Sequence, residues 1–139
     1  MKKLVVLMAL FLGTSLSWQG KVMAKDPVEG QTAVETHDIR LGLVSLSGTP
    51  TLSGSYDLGG FYAMNVQTGV YYYSRHDRVN GFLRLPAFID DLPEGTYEFG
   101  AFQGQGGWMA VSSKVVTIGP GMEDESGYVT LYLDIAWEE

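Results

Sequence analysis

The sequence predicts an all-β chain folded as one antiparallel β-sandwich of about seven strands. Three observations carry this. Short apolar runs alternate with a period of two. No window of a dozen residues shows the i, i+3, i+4, i+7 apolar spacing of a helix. The 139 residues include 18 Gly, eight Tyr, six Phe and three Trp, so strand formers sit between turn formers throughout. That length holds one domain.

The elements follow in order. "DIRLGLVSL" (38–46) alternates through Ile39, Leu41 and Leu43 and reads as the first strand. "SGTPTLSGSYDLG" (47–59) is turn-rich, with room for a short edge strand around Thr51 to Tyr56. "GFYAMNV" (60–66) and "VYYYSR" (70–75) are the second and third strands, joined by "QTG". "HDRVNG" contains Asn80-Gly81, the pair that suits a two-residue hairpin turn. "FLRLPAFI" (82–89) is the fourth, and Pro86 places it at an edge or a bulge. "TYEFGAF" (96–102) is the fifth, followed by the glycine loop "QGQGG". "WMAVSSKVVTI" (108–118) is the sixth. A bulge at Ser112-Ser113 would let Met109, Val111, Val116 and Ile118 all face inward. "YVTLYLDIAW" (128–137) is the last, with Val129, Leu131, Leu133, Ile135 and Trp137 inward and Tyr128, Thr130, Tyr132 and Asp134 outward.

Ahead of the strands, Lys2-Lys3, the apolar run Leu4 to Leu12 and the small residue Ala24 make a secretory signal peptide over 1–24, with cleavage after Ala24 first and Ser17 second. The run is shorter than the roughly 20 residues of a membrane-spanning helix. Residues 25–37, "KDPVEGQTAVETH", are polar without a period and read as a flexible tail, leaving 38–139 as the sandwich. Without Lys2, Lys3 and Lys21, six basic residues face 16 acidic ones, a formal −10. Such a surface repels phosphate backbones and anionic membranes, so neither nucleic acid nor membrane insertion of the mature chain is expected. The chain has no Cys, which excludes disulfide staples and acylation on cysteine. An exported protein, periplasmic or at the cell surface, is the expected localisation.

The stretch Asp91-Leu92-Pro93-Glu94-Gly95-Thr96-Tyr97 is a corner: Pro93 presets one turn dihedral and Gly95 accepts the next. Leu92 and Tyr97 flank it and can share one core. With "NGF" (80–82), "IDDLPEGTYEF" (89–99) and "YAMNVQTGVYY" (62–72), this pattern resembles the prealbumin-like sandwiches. Those are the collagen-adhesin B-type repeats and the carboxypeptidase regulatory-like domains, marked by a glycine turn, a strand and then "LPxGxY". The resemblance covers about 40 residues. It implies an immunoglobulin/prealbumin-like sandwich serving as a spacer, stalk or binding module outside the cell. The adhesin repeats often carry an internal isopeptide between a first-strand Lys and an acid. Here Arg40 and Ala101 stand near those places, so no isopeptide is expected.

Catalysis has little support. The imidazoles are His37, in the presumed tail, and His76, in the charged loop "SRHDR", so no nucleophile–base pair is legible. Asp90-Asp91 and Glu123-Asp124-Glu125 are neighbours rather than a pair opposed across a cleft, and they read as solvated turns. "GMEDESG" (121–127) offers oxygen ligands without the spacing of a calcium loop. Two His and no Cys argue against zinc. No metal and no cofactor are therefore expected. The binding candidates are aromatic: Tyr71 and Tyr73 on one strand face, Tyr128 and Tyr132 on another, and Trp108 beside the glycine loop. Flat rings stack on sugars or on a partner protein; the other reading is that the tyrosines cover the core or pair across strands, and that Trp108 packs in the core. The expected function is a non-enzymatic, exported sandwich with a structural, adhesive or binding role, its partner an unknown protein or glycan. The alternatives are a carbohydrate- or ligand-binding module using these rings, and a small outer-membrane β-barrel. Several strands fall short of the roughly 9–11 residues that such a barrel needs.

Overall fold

The structure, a computed structural model, describes residues 3–6 and 33–139, with side chains from Val34 onward. The signal-peptide reading lies outside the described residues, save the backbone of Lys3–Val6, as does the tail reading over 25–32. In chain order the strands are β1 (Lys3–Val6), β2 (Ala33–Val44), β3 (Pro50–Thr51), β4 (Ser55–Tyr56), β5 (Leu58–Asn65), β6 (Tyr71–Tyr73), β7 (Arg78–Val79), β8 (Phe82–Arg84), β9 (Ala87–Pro93), β10 (Gly95–Gln103), β11 (Met109–Val111), β12 (Lys114–Ile118) and β13 (Val129–Glu138). The described residues contain no helix, as the period-two pattern requires.

Three sheets result. The first is built on β2, which pairs with β13 on one side and with β9 and β3 on the other; β1 continues beside Ala33–Thr36 and β11 extends the far side of β13. The second has the order β12-β10-β5-β6, and β4, β8 and β7 make a small third. Among the described residues pairing is antiparallel except between β2 and β13, which run parallel over Ile39–Val44 and Val129–Asp134. A parallel pair needs a long crossover between its strands, and here nearly the whole domain lies between the two.

Buried residues from the sheets form one cluster. Ile39, Leu41, Leu43, Ile89 and Leu133 enter it from the first sheet, and Phe61, Tyr97, Phe99 and Ile118 from the second. Each follows the alternation of its strand.

The described residues form thirteen strands where about seven are expected, and one pair is parallel in a fold read as antiparallel. Four further sequence expectations change. The first strand begins at Ala33, not Asp38, so residues 33–37 are sheet and not tail. "VETHD" lacks apolar alternation because polar residues fill the inward phase there. The run 82–89 is two strands in different sheets, divided at the cis Leu85–Pro86 bond, where proline has no N–H for the ladder. The run 108–118 is likewise divided: β11 joins the first sheet and β12 the second. Met109 and Ile118 are buried, and Val111 and Val116 pack on the core. The chain achieves this by changing sheets at Ser112-Ser113 rather than by a bulge. Trp137 is exposed, because the register with β11 shifts between the pairs Val111–Ile135 and Ala110–Trp137; the extra residue in β13 breaks its alternation and puts Trp137 on the face of Ala110.

The turns behave as their residues require. Asn80 and Gly81 both have positive φ, 53° and 85°, between the paired Val79 and Phe82, which is the two-residue hairpin geometry. In the Leu92–Tyr97 corner the strand β9 runs on to Pro93 and β10 resumes at Gly95. Leu92, Tyr97 and Phe99 are fully buried. The Tyr97 hydroxyl donates back to the Pro93 carbonyl at 2.6 Å, tying the corner to the ring that fills the core below it. Just before, Asp90 and Asp91 together oppose Asp38, a bulge in which Asp91 takes φ 57° and donates its N–H to the Asp38 carboxylate at 3.0 Å.

Tyr97→Phe keeps the ring and removes the bond to Pro93. It should lower unfolding stability by about 1–2 kcal/mol, measured by urea denaturation. No change in midpoint would show that the hydroxyl does not hold the corner.

Candidate functional site

The second sheet turns an aromatic face away from the core. On β5, Phe61 and Ala63 are buried, so the alternate Tyr62 and Met64 face outward. On β6, Tyr72 packs inward, edge-on to Tyr97 at 5.9 Å, which leaves Tyr71 and Tyr73 outward. Phe102 of β10 lies on the same outer face. The rings are contiguous. Tyr71 and Tyr73 lie in nearly parallel planes, 11° apart at 6.0 Å. Tyr62 touches Tyr71 at 5.5 Å and Phe102 at 5.0 Å, and Tyr73 touches Phe102 at 6.1 Å. Tyr62 has room because its cross-strand partner is Gly100, where a Cβ would strike its ring. Its hydroxyl donates to Glu98 at 3.3 Å; burial first, and then the Glu98 charge, push the phenol above its ordinary pKa. Tyr73 is 61% exposed, Tyr71 45% and Phe102 44%.

Tyr128 and Tyr132 belong elsewhere, on the side of the first sheet away from the core. Tyr128 is half-buried in a ladder of cations and rings. The Arg75 guanidinium grips Asp90 through two bonds of 2.8 Å and lies over Phe88 at 4.6 Å. Phe88 meets Tyr128 at 5.2 Å, and Arg40 covers Tyr128 at 5.3 Å. Arg40 also bonds Asp124 at 3.1 Å. Tyr132 is half-buried beside Gly42, where a Cβ would meet the Thr51 carbonyl, Leu52 at 2.8 Å and Tyr132 itself at 3.0 Å.

Trp108 is a third location. It is 54% exposed and sits with Phe82, at 6.3 Å, over a shallow depression of about 320 Å³ lined also by Tyr56, Asp57 and Glu138. The Asp57 carboxylate accepts the N–H of Trp108 at 2.9 Å and of Gly106 at 3.3 Å, which folds the glycine loop around it. Thus the five candidate aromatics fall in three places: Tyr71 and Tyr73 touch on one sheet face, Tyr128 and Tyr132 lie on another, and Trp108 stands apart. Tyr62 and Phe102 complete the face of Tyr71 and Tyr73. The alternation could have placed each outward, but their meeting depends on strand pairing.

The acids are more engaged than expected of solvated turns. Asp90 is paired with Arg75. Asp124 accepts from Ser126, Thr130 and Arg40, and the hydroxyls of Ser126 and Thr130 hold its carboxyl far below the usual range. His76 stays exposed, while Arg78 of the same loop donates to the carbonyls of Leu58 and Gly59.

His37 is the largest departure. It is fully buried within β2. Its Nε2 donates to Glu94 of the corner at 2.8 Å, and its Nδ1 to Glu123 of the 119–128 turn. Burial alone would lower the imidazole pKa, but the two carboxylates outweigh it and the net shift is upward. Glu123 is correspondingly lowered: burial works against this, and the bond to His37 overcomes it.

Gly42→Ala should destabilise the protein by about 1–3 kcal/mol, read as a lower thermal midpoint, because a backbone carbonyl cannot step aside. An unaltered midpoint would mean that Tyr132 and residues 51–52 do not close over β2.

Compared with protein-family models, curated proteins and solved structures, the chain matches none.

Proposed function

We propose that this chain is an exported, non-enzymatic β-sandwich of the prealbumin-like kind, and that it binds carbohydrate on the face formed by Tyr62, Tyr71, Tyr73 and Phe102. The sandwich is supported by the single apolar cluster to which both larger sheets contribute. The filled apolar interior favours it over a membrane barrel, whose apolar band faces outward. Export is supported by the basic and then apolar start of the sequence.

The observation that carries the binding role is the contiguity of four rings on one outer sheet face, three of them exposed. A contiguous apolar patch on a small domain marks an interaction site. The C–H faces of a sugar ring stack on such rings, while phenol hydroxyls and the Glu98 carboxylate at the border supply polar contacts to its hydroxyls. The acidic surface suits a neutral or cationic glycan better than an anionic one.

Screening against a glycan array, followed by calorimetry on the best ligand, tests this. Tyr73→Ala should weaken binding at least about tenfold, roughly 1.4 kcal/mol, while Trp108→Ala leaves it unchanged. Retention of no glycan at millimolar concentration, or a Tyr73→Ala protein that binds as well as the parent, would refute the proposal.

A further inference from the structure

Along β2 the positions of one phase are Glu35, His37, Ile39, Leu41 and Leu43. The last three are core. At His37 the stripe turns polar while still buried. Around it gather three acids: Glu35 two residues away on β2, and, from distant parts of the chain, Glu94 of the β9–β10 corner and Glu123 of the β12–β13 connection. One donor atom each from Glu35, His37 and Glu94 lie within 4.8 Å of one another. The Nε2 side of the imidazole faces Glu94, and the Nδ1 side is held by Glu123.

We propose that this is a binding site for a divalent transition ion of the zinc class, with His37 Nε2 and the carboxylates of Glu94 and Glu35 as ligands. Glu123 is then the orienting residue that fixes the ring through Nδ1–H. Two independent features meet here. One is the donor set, an imidazole and two carboxylates converging on one point, which zinc accepts as three ligands with a fourth position left to water. The other is the carboxylate on the far ring nitrogen. A metal-binding histidine almost always donates its second N–H to such a group, which sets the tautomer and aims the lone pair. Ligands on bonds of about 2.0–2.2 Å around a tetrahedral ion stand about 3.4 Å apart, so the trio needs only small side-chain adjustments. The ion takes the place of the Nε2 proton, and His37 binds it as the neutral ring. Calcium, which prefers six to eight oxygens, has no comparable claim on an imidazole.

The ligands also join β2 to the corner, and Glu123 joins it to the following turn. Binding therefore stabilises the fold and not merely a surface loop. No role in turnover is assigned to the ion.

The test uses the purified, chelator-stripped protein, titrated with zinc chloride by calorimetry and followed by thermal unfolding. One zinc per chain, with a dissociation constant in about the micromolar range or tighter and a midpoint raised by several degrees, is expected. Calcium at equal concentration should leave the midpoint unmoved. Glu94→Gln and Glu35→Gln, both at partly exposed positions that should tolerate the change, are expected to weaken binding more than about tenfold. Glu123→Gln should weaken it by about ten- to a hundredfold at unchanged stoichiometry. His76→Gln should bind as the parent does. Absence of zinc binding at about 100 µM, equal stabilisation by calcium, or parental affinity in both Glu94→Gln and Glu35→Gln would overturn the proposal.

Discussion

The pairing of β2 on both of its edges is the constraint on which the rest depends. β13 runs parallel along one edge and β9 antiparallel along the other, so β2 has no free edge over Ile39–Leu41. One face of a central strand must then be core, and Ile39, Leu41 and Leu43 are fully buried there. The two-residue period carries that face on to His37, past the last apolar side chain. A buried imidazole needs hydrogen-bond partners, since leaving one unmet costs several times what a bond contributes. They come from the connections that close this end of the core: the corner supplies Glu94 and the turn before β13 supplies Glu123. Strand pairing thus explains why a histidine and two acids from opposite ends of the chain meet.

The corner does more than reverse direction. Its ring, Tyr97, fills the core and bonds back to Pro93, which limits how far the loop can move. Its bulge uses Asp38 as a cap for the Asp91 N–H, and its first acid, Asp90, anchors Arg75 over Phe88. On the second sheet, absence of a side chain does the equivalent work. Gly100 leaves the space that the Tyr62 ring occupies, and so lets the four outer rings close into a single surface.

Features set by local chemistry were legible in the sequence. The alternation of Val129, Leu133 and Ile135, the positive-φ pair Asn80-Gly81 and the anchoring of Leu92 and Tyr97 all follow from period and turn residues. That Tyr71 and Tyr73 share a face follows too, but not that the face is outward, since Tyr72 between them is the same residue and it is Tyr72 that packs on Tyr97. Features set by pairing were not. A proline in a strand-like run reads as an edge or bulge, and nothing near Pro86 says that the next residues join another sheet. Ser112-Ser113 poses the same ambiguity. Tyr128 and Tyr132 share a face of their strand, but only the parallel pairing with β2 puts Arg40 over one and Gly42 beside the other. "VETHD" read as tail because burial of a polar residue leaves no hydrophobic trace. Its one signal is that Glu35 and His37 are in phase with Ile39.

The molecule therefore offers two distinct surfaces, an exposed aromatic face on the second sheet and a buried polar junction beneath the first. The second depends entirely on His37 being inside the fold, clamped at both nitrogens. An imidazole nitrogen–proton correlation spectrum of the metal-free protein measures that directly. At a pH just below the ordinary histidine pKa, where the upward shift keeps His37 charged, both of its ring N–H protons should be visible and exchange slowly with water, while those of the exposed His76 vanish through fast exchange. Two histidines with the same fast-exchanging rings would contradict it.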